Sequence, residues 1–162
     1  MQPRFVELPE MKVVGFGGRF ISVLSPKRNN YQVIPALWHK LVQVQNTIPH
    51  QTGQASLALV EMLPAAAEKS DPAEMYYLAG VMVASFEGMP AEFEQRTLAA
   101  GRYALFTHVG KVDQLGKTMA AIYQGWLPGA GVKLRPSAHL EWYDKRFDMN
   151  SEKSELDILL PV

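Results

Sequence analysis

The sequence contains no cysteine. That excludes disulfides and thiolate chemistry, and with them a small secreted scaffold held by disulfide staples. It also lacks a charge excess: Lys plus Arg and Asp plus Glu both number 16, so the formal net charge is zero. Nucleic-acid-binding domains draw much of their affinity from phosphate neutralisation and show a basic excess or stripe. Here the basic clusters are short pairs, Lys27-Arg28 and Lys145-Arg146, so direct nucleic-acid binding by this chain is not expected. No apolar run approaches the roughly 18 residues of a membrane span. The opening Met1 to Glu10 is broken by Pro3, Arg4, Glu7 and Pro9 and has no signal-peptide core. The expectation is a cytoplasmic protein with no membrane attachment.

Enzyme signatures are scarce as well. Gly15-Phe16-Gly17-Gly18 is followed by no Gly-Lys-Ser/Thr and lacks the full dinucleotide fingerprint. His39, His50, His108 and His139 show no close metal-ligand spacing. No Gly-x-Ser-x-Gly elbow occurs. Neither a metal nor a cofactor is expected.

What is present is an ordinary globular balance. The 162 residues are 48% hydrophobic and 20% charged, enough for one domain or two tightly fused halves with a real core. The eight methionines suit core filling, with a minority available to an adaptable binding surface. Two segments read as amphipathic helices. Gln32 to Gln45 carries Ile34, Leu37, Trp38, Leu41 and Val44 at helical spacing, with Pro35 in the first turn. Asp113 to Trp126 carries Leu115, Met119, Ile122, Tyr123 and Trp126, with Asp113 as N-cap and Pro128 as terminator. Strand patterns cover Lys12 to Phe16, Leu57 to Met62, Met75 to Val83, Phe93 to Leu98, Arg102 to Val109, Ala138 to Asp144 and Glu155 to Leu160. The glycines after Phe16 suggest a bend or a close backbone approach.

The order strand, helix, strand, strand thus occurs twice. The halves, about residues 1–90 and 91–162 of a single domain, echo each other loosely. Val14-Gly15-Phe16-Gly17-Gly18 parallels Phe106-Thr107-His108-Val109-Gly110, and Pro35-Ala36-Leu37-Trp38 parallels Ala120-Ala121-Ile122-Tyr123. Ser56-Leu57-Ala58-Leu59-Val60 parallels Ala138-His139-Leu140-Glu141-Trp142. The predicted fold is α+β, with duplicated βαββ units about a pseudo-two-fold axis and a ligand groove at that axis.

The most informative segment is His139-Leu140-Glu141-Trp142-Tyr143-Asp144. Alternation on a strand puts His139, Glu141 and Tyr143 on one side and Leu140 and Trp142 on the other. Leu140 and Trp142 are expected to pack against a helix. Glu141 then lies between a ring and an imidazole, where a carboxylate is costly unless paired. Such a site suits a cation, held by charge and by roughly 0.5–2 kcal/mol per good cation–π contact. A solvated Glu141 on a wet face is the competing reading. Trp38, Trp126, Tyr103 and Phe16 are further candidates for an aromatic lining, although both tryptophans also fit core stripes. Tyr76 and Tyr77 point to opposite faces, so at most one meets any pocket. Glu141 and Tyr143 could also serve as general base and acid.

Taken in order, several stretches resemble the GyrI-like, or AraC-type effector-binding, family of small-molecule-binding domains. They are Pro3-Arg4-Phe5-Val6-Glu7-Leu8-Pro9 with Lys12-Val13-Val14-Gly15, Ile34-Pro35-Ala36-Leu37-Trp38, Tyr76-Tyr77-Leu78-Ala79-Gly80-Val81 and Ala100 to Gly110. Trp126-Leu127-Pro128, Leu140-Glu141-Trp142-Tyr143 and Leu156 to Val162 complete the set. The resemblance implies two βαββ units and a pocket glutamate on the next-to-last strand, the position of Glu141. In multidrug-sensing relatives that glutamate meets cationic aromatic drugs. Some relatives carry a helix-turn-helix domain; here the sequence begins at the effector module, and no DNA-reading element is expected. The first reading is a non-catalytic module that senses or sequesters bulky cationic or aromatic compounds. One alternative is a hydrolase of electrophilic small molecules using Glu141 and Tyr143. Another is a gyrase-inhibitor-like interaction module, and a protein partner or a homodimer stays open.

Overall fold

The structure, a computed structural model, describes residues 1–162. Eight strands form one antiparallel sheet: β1 (Arg4–Leu8), β2 (Met11–Ile21), β3 (Gln51–Met62), β4 (Glu74–Val83), β5 (Glu94–Leu98), β6 (Gly101–Val109), β7 (His139–Tyr143) and β8 (Glu155–Pro161). Helix α1 (Asn30–Val44) joins β2 to β3, and α2 (Leu115–Ala120) lies between β6 and β7. Strand order across the sheet is β1-β6-β8-β7-β3-β4-β2-β5. Exchanging β1–β4 for β5–β8 returns this order reversed, a duplication of the βαββ pattern the sequence suggested with one further strand opening each half. Each half sends its first strand to the other half: β1 pairs with β6, and β5 with β2.

The short links require the sheet to curl. β1 and β2 stand six positions apart in the sheet, a distance of roughly 29 Å if flat. Pro9 and Glu10 alone connect them, and two residues reach about 10 Å. Ala99 and Ala100 impose the same demand on β5 and β6. The result is a half-barrel. All eight strands contribute to the cluster inside the curl: Val6 and Leu8, Met11 and Val13, Leu57 and Leu59, Leu78, Leu98, Tyr103, Leu140 and Leu159. Most are fully buried although no helix covers them. The facing glycines Gly15 and Gly80 let β2 and β4 approach closely. A Cβ on Gly15 would strike the Ala79 carbonyl oxygen, so the close approach expected there is real. The alternative, a bend that interrupts the strand, is not seen: β2 stays paired with β4 through Ile21.

The helices cover the opposite face. Val33, Ile34, Leu37 and Trp38 of α1 pack over Val14, Phe16, Tyr77 and Ala79. Leu115, Met119, Ile122, Tyr123 and Trp126 pack over Ala104, Phe106, Ile158 and Leu160.

Five further sequence expectations change. Pro35 stands inside α1, past its first turn, because the helix begins at Asn30. Leu140 and Trp142 face the helix-free interior, because the curl itself buries that face. The echo of Ser56–Val60 with Ala138–Trp142 is one residue out of phase. It equates Leu57 and Leu59, which point inside, with His139 and Glu141, which do not, and a one-residue slip reverses every side chain. Asp113 does not cap α2; it sits within a 3-10 turn, Val112–Gln114. Finally, α2 is short and continues as a π-helical segment, Ala121–Trp126.

Candidate functional site

The two central strands of the sheet, β3 and β7, lie between the regions roofed by α1 and by α2. Their helix-side residues form the floor of a groove. Glu141 is near its middle, opposite Ala58 on β3 and Ile158 on β8. The alanine is small and fully buried beside the carboxylate.

Glu141 is 7% exposed. Its Oε2 accepts hydrogen bonds from the Tyr143 hydroxyl at 2.7 Å and the Tyr77 hydroxyl at 2.9 Å. Trp38 of α1 donates its indole N–H to the Tyr77 oxygen at 3.0 Å. No side chain or backbone group donates to Oε1, and none of the molecule's ion pairs includes Glu141. Burial pushes the Glu141 carboxyl above its ordinary range, against the downward pull of the two phenols. Burial, then the Glu141 charge, pushes the Tyr77 phenol well above its ordinary value, and the same two causes act in the same order on Tyr143. Both remain donors at neutral pH.

Aromatic rings close over this network. The Tyr143 ring meets Trp38 edge-on at 4.8 Å and Phe147 edge-on at 4.8 Å. Phe20 meets Tyr77 edge-on at 6.0 Å. From the α2 side, the π-helical segment brings in Tyr123. Its hydroxyl lies 2.9 Å from His139 Nδ1. Burial and the Glu141 charge push that phenol up to about 12, and burial alone draws His139 down to about 4. The histidine is neutral at physiological pH.

Among the residues singled out in the sequence, Glu141, Tyr143 and Trp38 come together. Phe16 is on the same face but engaged elsewhere, against Phe93 at 5.2 Å and beneath the Lys40 ammonium at 3.9 Å. Trp126 packs on Phe106 at 5.0 Å and Phe5 at 6.5 Å, within the α2 cluster. Tyr103 is excluded from the groove. It lies inside the curl with Leu140, beneath the Arg135 guanidinium, because its strand position has the parity of the interior face. Tyr77, Tyr123 and Phe147 belong to the site and were not singled out. For Tyr77 the signal was present, since of the adjacent pair one had to face the groove. Tyr76 takes the other side, donating to Glu94.

A cavity of about 390 Å³ opens at the end of the half-barrel interior, lined by Leu8, Met11, Lys12, Met82 and Trp142. It is on the face opposite Glu141. No group of three or more His, Asp or Glu could hold a metal ion, and no helix is long and apolar enough to cross a membrane.

Known proteins share this architecture. The chain is 28% identical to the transcriptional regulator BrlR of Pseudomonas aeruginosa, over all of this chain and 56% of the regulator. It therefore spans about half the length of that relative. Among solved structures, SAV2435 bound to tetraphenylphosphonium superposes with a TM-score of 0.76 at 18% identity, covering 100% of this chain and 94% of the other. The EcmrR C-terminal domain gives 0.65 at 20% identity, covering 99% and 96%. The model of the GyrI-like small molecule binding domain matches residues 1–162, and the chain belongs to that family.

Proposed function

We propose that this domain binds bulky, largely apolar cations in the groove over β3 and β7. The observation that carries this reading is the state of Glu141: a buried carboxylate, two phenol donors on one oxygen, no cationic partner. Burying an ion without a counter-charge costs several kcal/mol. A folded protein tolerates that cost where a ligand supplies the missing charge. Trp38, Tyr143 and Phe147 offer ring surface to the apolar part of such a ligand. The tetraphenylphosphonium held by the structurally similar SAV2435 is a compound of this class. Sensing or sequestration in the cytoplasm fits this reading, and control of transcription would belong to a longer protein of which such a domain is part.

Calorimetric titration with methyltriphenylphosphonium and with neutral triphenylphosphine oxide tests the reading. The cation is expected to bind with a clear advantage over the oxide; equal affinities refute it. Hydrolysis of an electrophile, with Glu141 as base and Tyr143 as acid, draws support from their 2.7 Å contact. A hydrated product detected by mass after incubation with strained electrophiles would favour that second reading.

A further inference from the structure

The groove holds one polar atom that the cation reading leaves unused. His139 Nε2 is buried and has no hydrogen-bond partner, on a residue only 8% exposed. His139 shares the groove face with Glu141, two residues along the same strand. Buried polar groups are nearly always partnered, so an orphan calls for an explanation.

The other ring nitrogen fixes what Nε2 can offer. Nδ1 lies 2.9 Å from the Tyr123 hydroxyl, which has no other partner. If the phenol donates to Nδ1, the imidazole proton resides on Nε2 and one atom is left unsatisfied. If Nδ1 donates to the phenol instead, both the phenol proton and the Nε2 lone pair are left without partners. The first arrangement leaves fewer orphans and makes Nε2 a donor. Burial keeps the ring neutral, so it does not repel a cation at Glu141.

Resting on the reading of Glu141 as a cation site, we propose that His139, oriented by Tyr123, forms a second subsite that donates a hydrogen bond to an ether, carbonyl or hydroxyl oxygen of the ligand. Alternate residues of a strand are about 6.5–7 Å apart, which sets the scale of the separation between cationic centre and oxygen. The π-helical segment is what delivers Tyr123 to this position. The ligand class is thus a bulky cation with an acceptor oxygen several bonds from its charge.

Two phosphonium salts of equal length test this: hexyltriphenylphosphonium and (4-methoxybutyl)triphenylphosphonium. Their affinity ratio is measured on the intact protein and on His139→Phe, which keeps a ring and removes the donor. The ratio is expected to shift about fivefold against the ether salt in the variant, the effect of one net hydrogen bond. An unchanged ratio overturns the subsite and leaves the cation reading standing. Failure of the unsubstituted protein to bind either salt overturns both. If the variant does not fold, imidazole nitrogen NMR of the unsubstituted protein decides. The Nε2 resonance should move with the ether salt and not with the hexyl salt, and identical responses overturn the subsite.

Discussion

Replacing Glu141 by Gln should make the protein more stable and nearly unable to hold a cation. The two effects share one cause. In the free protein, Oε2 accepts from Tyr143 and Tyr77 at 2.7 and 2.9 Å. Hydrogen bonds to a charged acceptor contribute about 1.5–3 kcal/mol and neutral ones about 0.5–1.5, so the amide forfeits roughly 1–1.5 kcal/mol at each phenol. Against that stands the desolvation of an ion with no counter-charge, several kcal/mol. The direction of the Glu141 pKa decides between them: it is raised, with burial as the largest cause, so the charged form is less stable in the folded chain than in the unfolded one. The folded state binds the proton more tightly. The stability lost to the charge is therefore greatest above the raised pKa, shrinks as pH falls through it, and vanishes below the ordinary value near 4.5. Glu141→Gln should raise Tm at pH 7–8 by about 2–4 °C for each kcal/mol recovered. The gain should disappear in acid. Removing one member of a buried charge pair costs 2–5 kcal/mol of binding, about 30-fold or more in Kd. Scanning calorimetry across pH, joined to titration with methyltriphenylphosphonium, reads both. A variant that melts lower at neutral pH, or that keeps full cation affinity, would falsify the reasoning.

Four further outcomes are expected. Tyr143→Phe keeps the ring contacts but removes the 2.7 Å donor, so thermal denaturation at neutral pH should show a loss of about 1–3 kcal/mol. The acid limb of cation binding should also move to higher pH. Tyr103→Phe removes a buried hydroxyl without a partner, on the face away from Glu141; stability should hold or rise, and phosphonium affinity should not change. His139 titrates near 4 when folded and near 6.5 when unfolded, so its contribution is complete above 6.5 and about 3 kcal/mol is lost as pH falls toward 4. His139→Phe should flatten that part of the stability profile, measured by urea unfolding at several pH values. Phe147→Ala strips one ring from the roof and should speed phosphonium association in stopped-flow fluorescence.

Much of this was legible in the sequence, and the rest was hidden for identifiable reasons. Period-two spacing alone put His139, Glu141 and Tyr143 on one face, and they share it. It did not say which face meets a helix. Leu140 and Trp142 look like a helix-packing pair, yet the curl buries them with the sheet's own strands, and curl is a property of links between distant strands. Strand β1 escaped notice because Arg4 and Glu7 break its pattern and prolines flank it; it is an edge strand, mostly exposed. Tyr123 sat on a helical stripe and read as core. The shift from α to π geometry, which sets its direction, leaves no mark in a 3.6-residue pattern. Phe147 lies in a turn-rich stretch with no periodicity. Its segment is fixed by Arg146, which pairs with Asp144, Glu155 and Asp157. Two of those partners sit on β8 and the third just past the end of β7, a grouping that only the fold brings together.

The roof over Glu141 bears on selectivity as well as access. Tyr143 contacts Trp38 on one side and Phe147 on the other, and each aromatic pair is worth about 0.5–1.5 kcal/mol beyond burial. Parting both contacts costs roughly 1–3 kcal/mol, so an open groove is a minor state. Apparent affinity falls by the fraction that is open, about 5- to 150-fold. A small inorganic or alkylammonium cation could satisfy the charge but would leave the parted rings facing empty space or water. A ligand with broad apolar or aromatic faces replaces the contacts it breaks and meets Glu141 as well. On the proposed reading, the closed resting geometry and the unpaired carboxylate would select together: the charge would disfavour neutral compounds, and the rings would disfavour small hydrated cations.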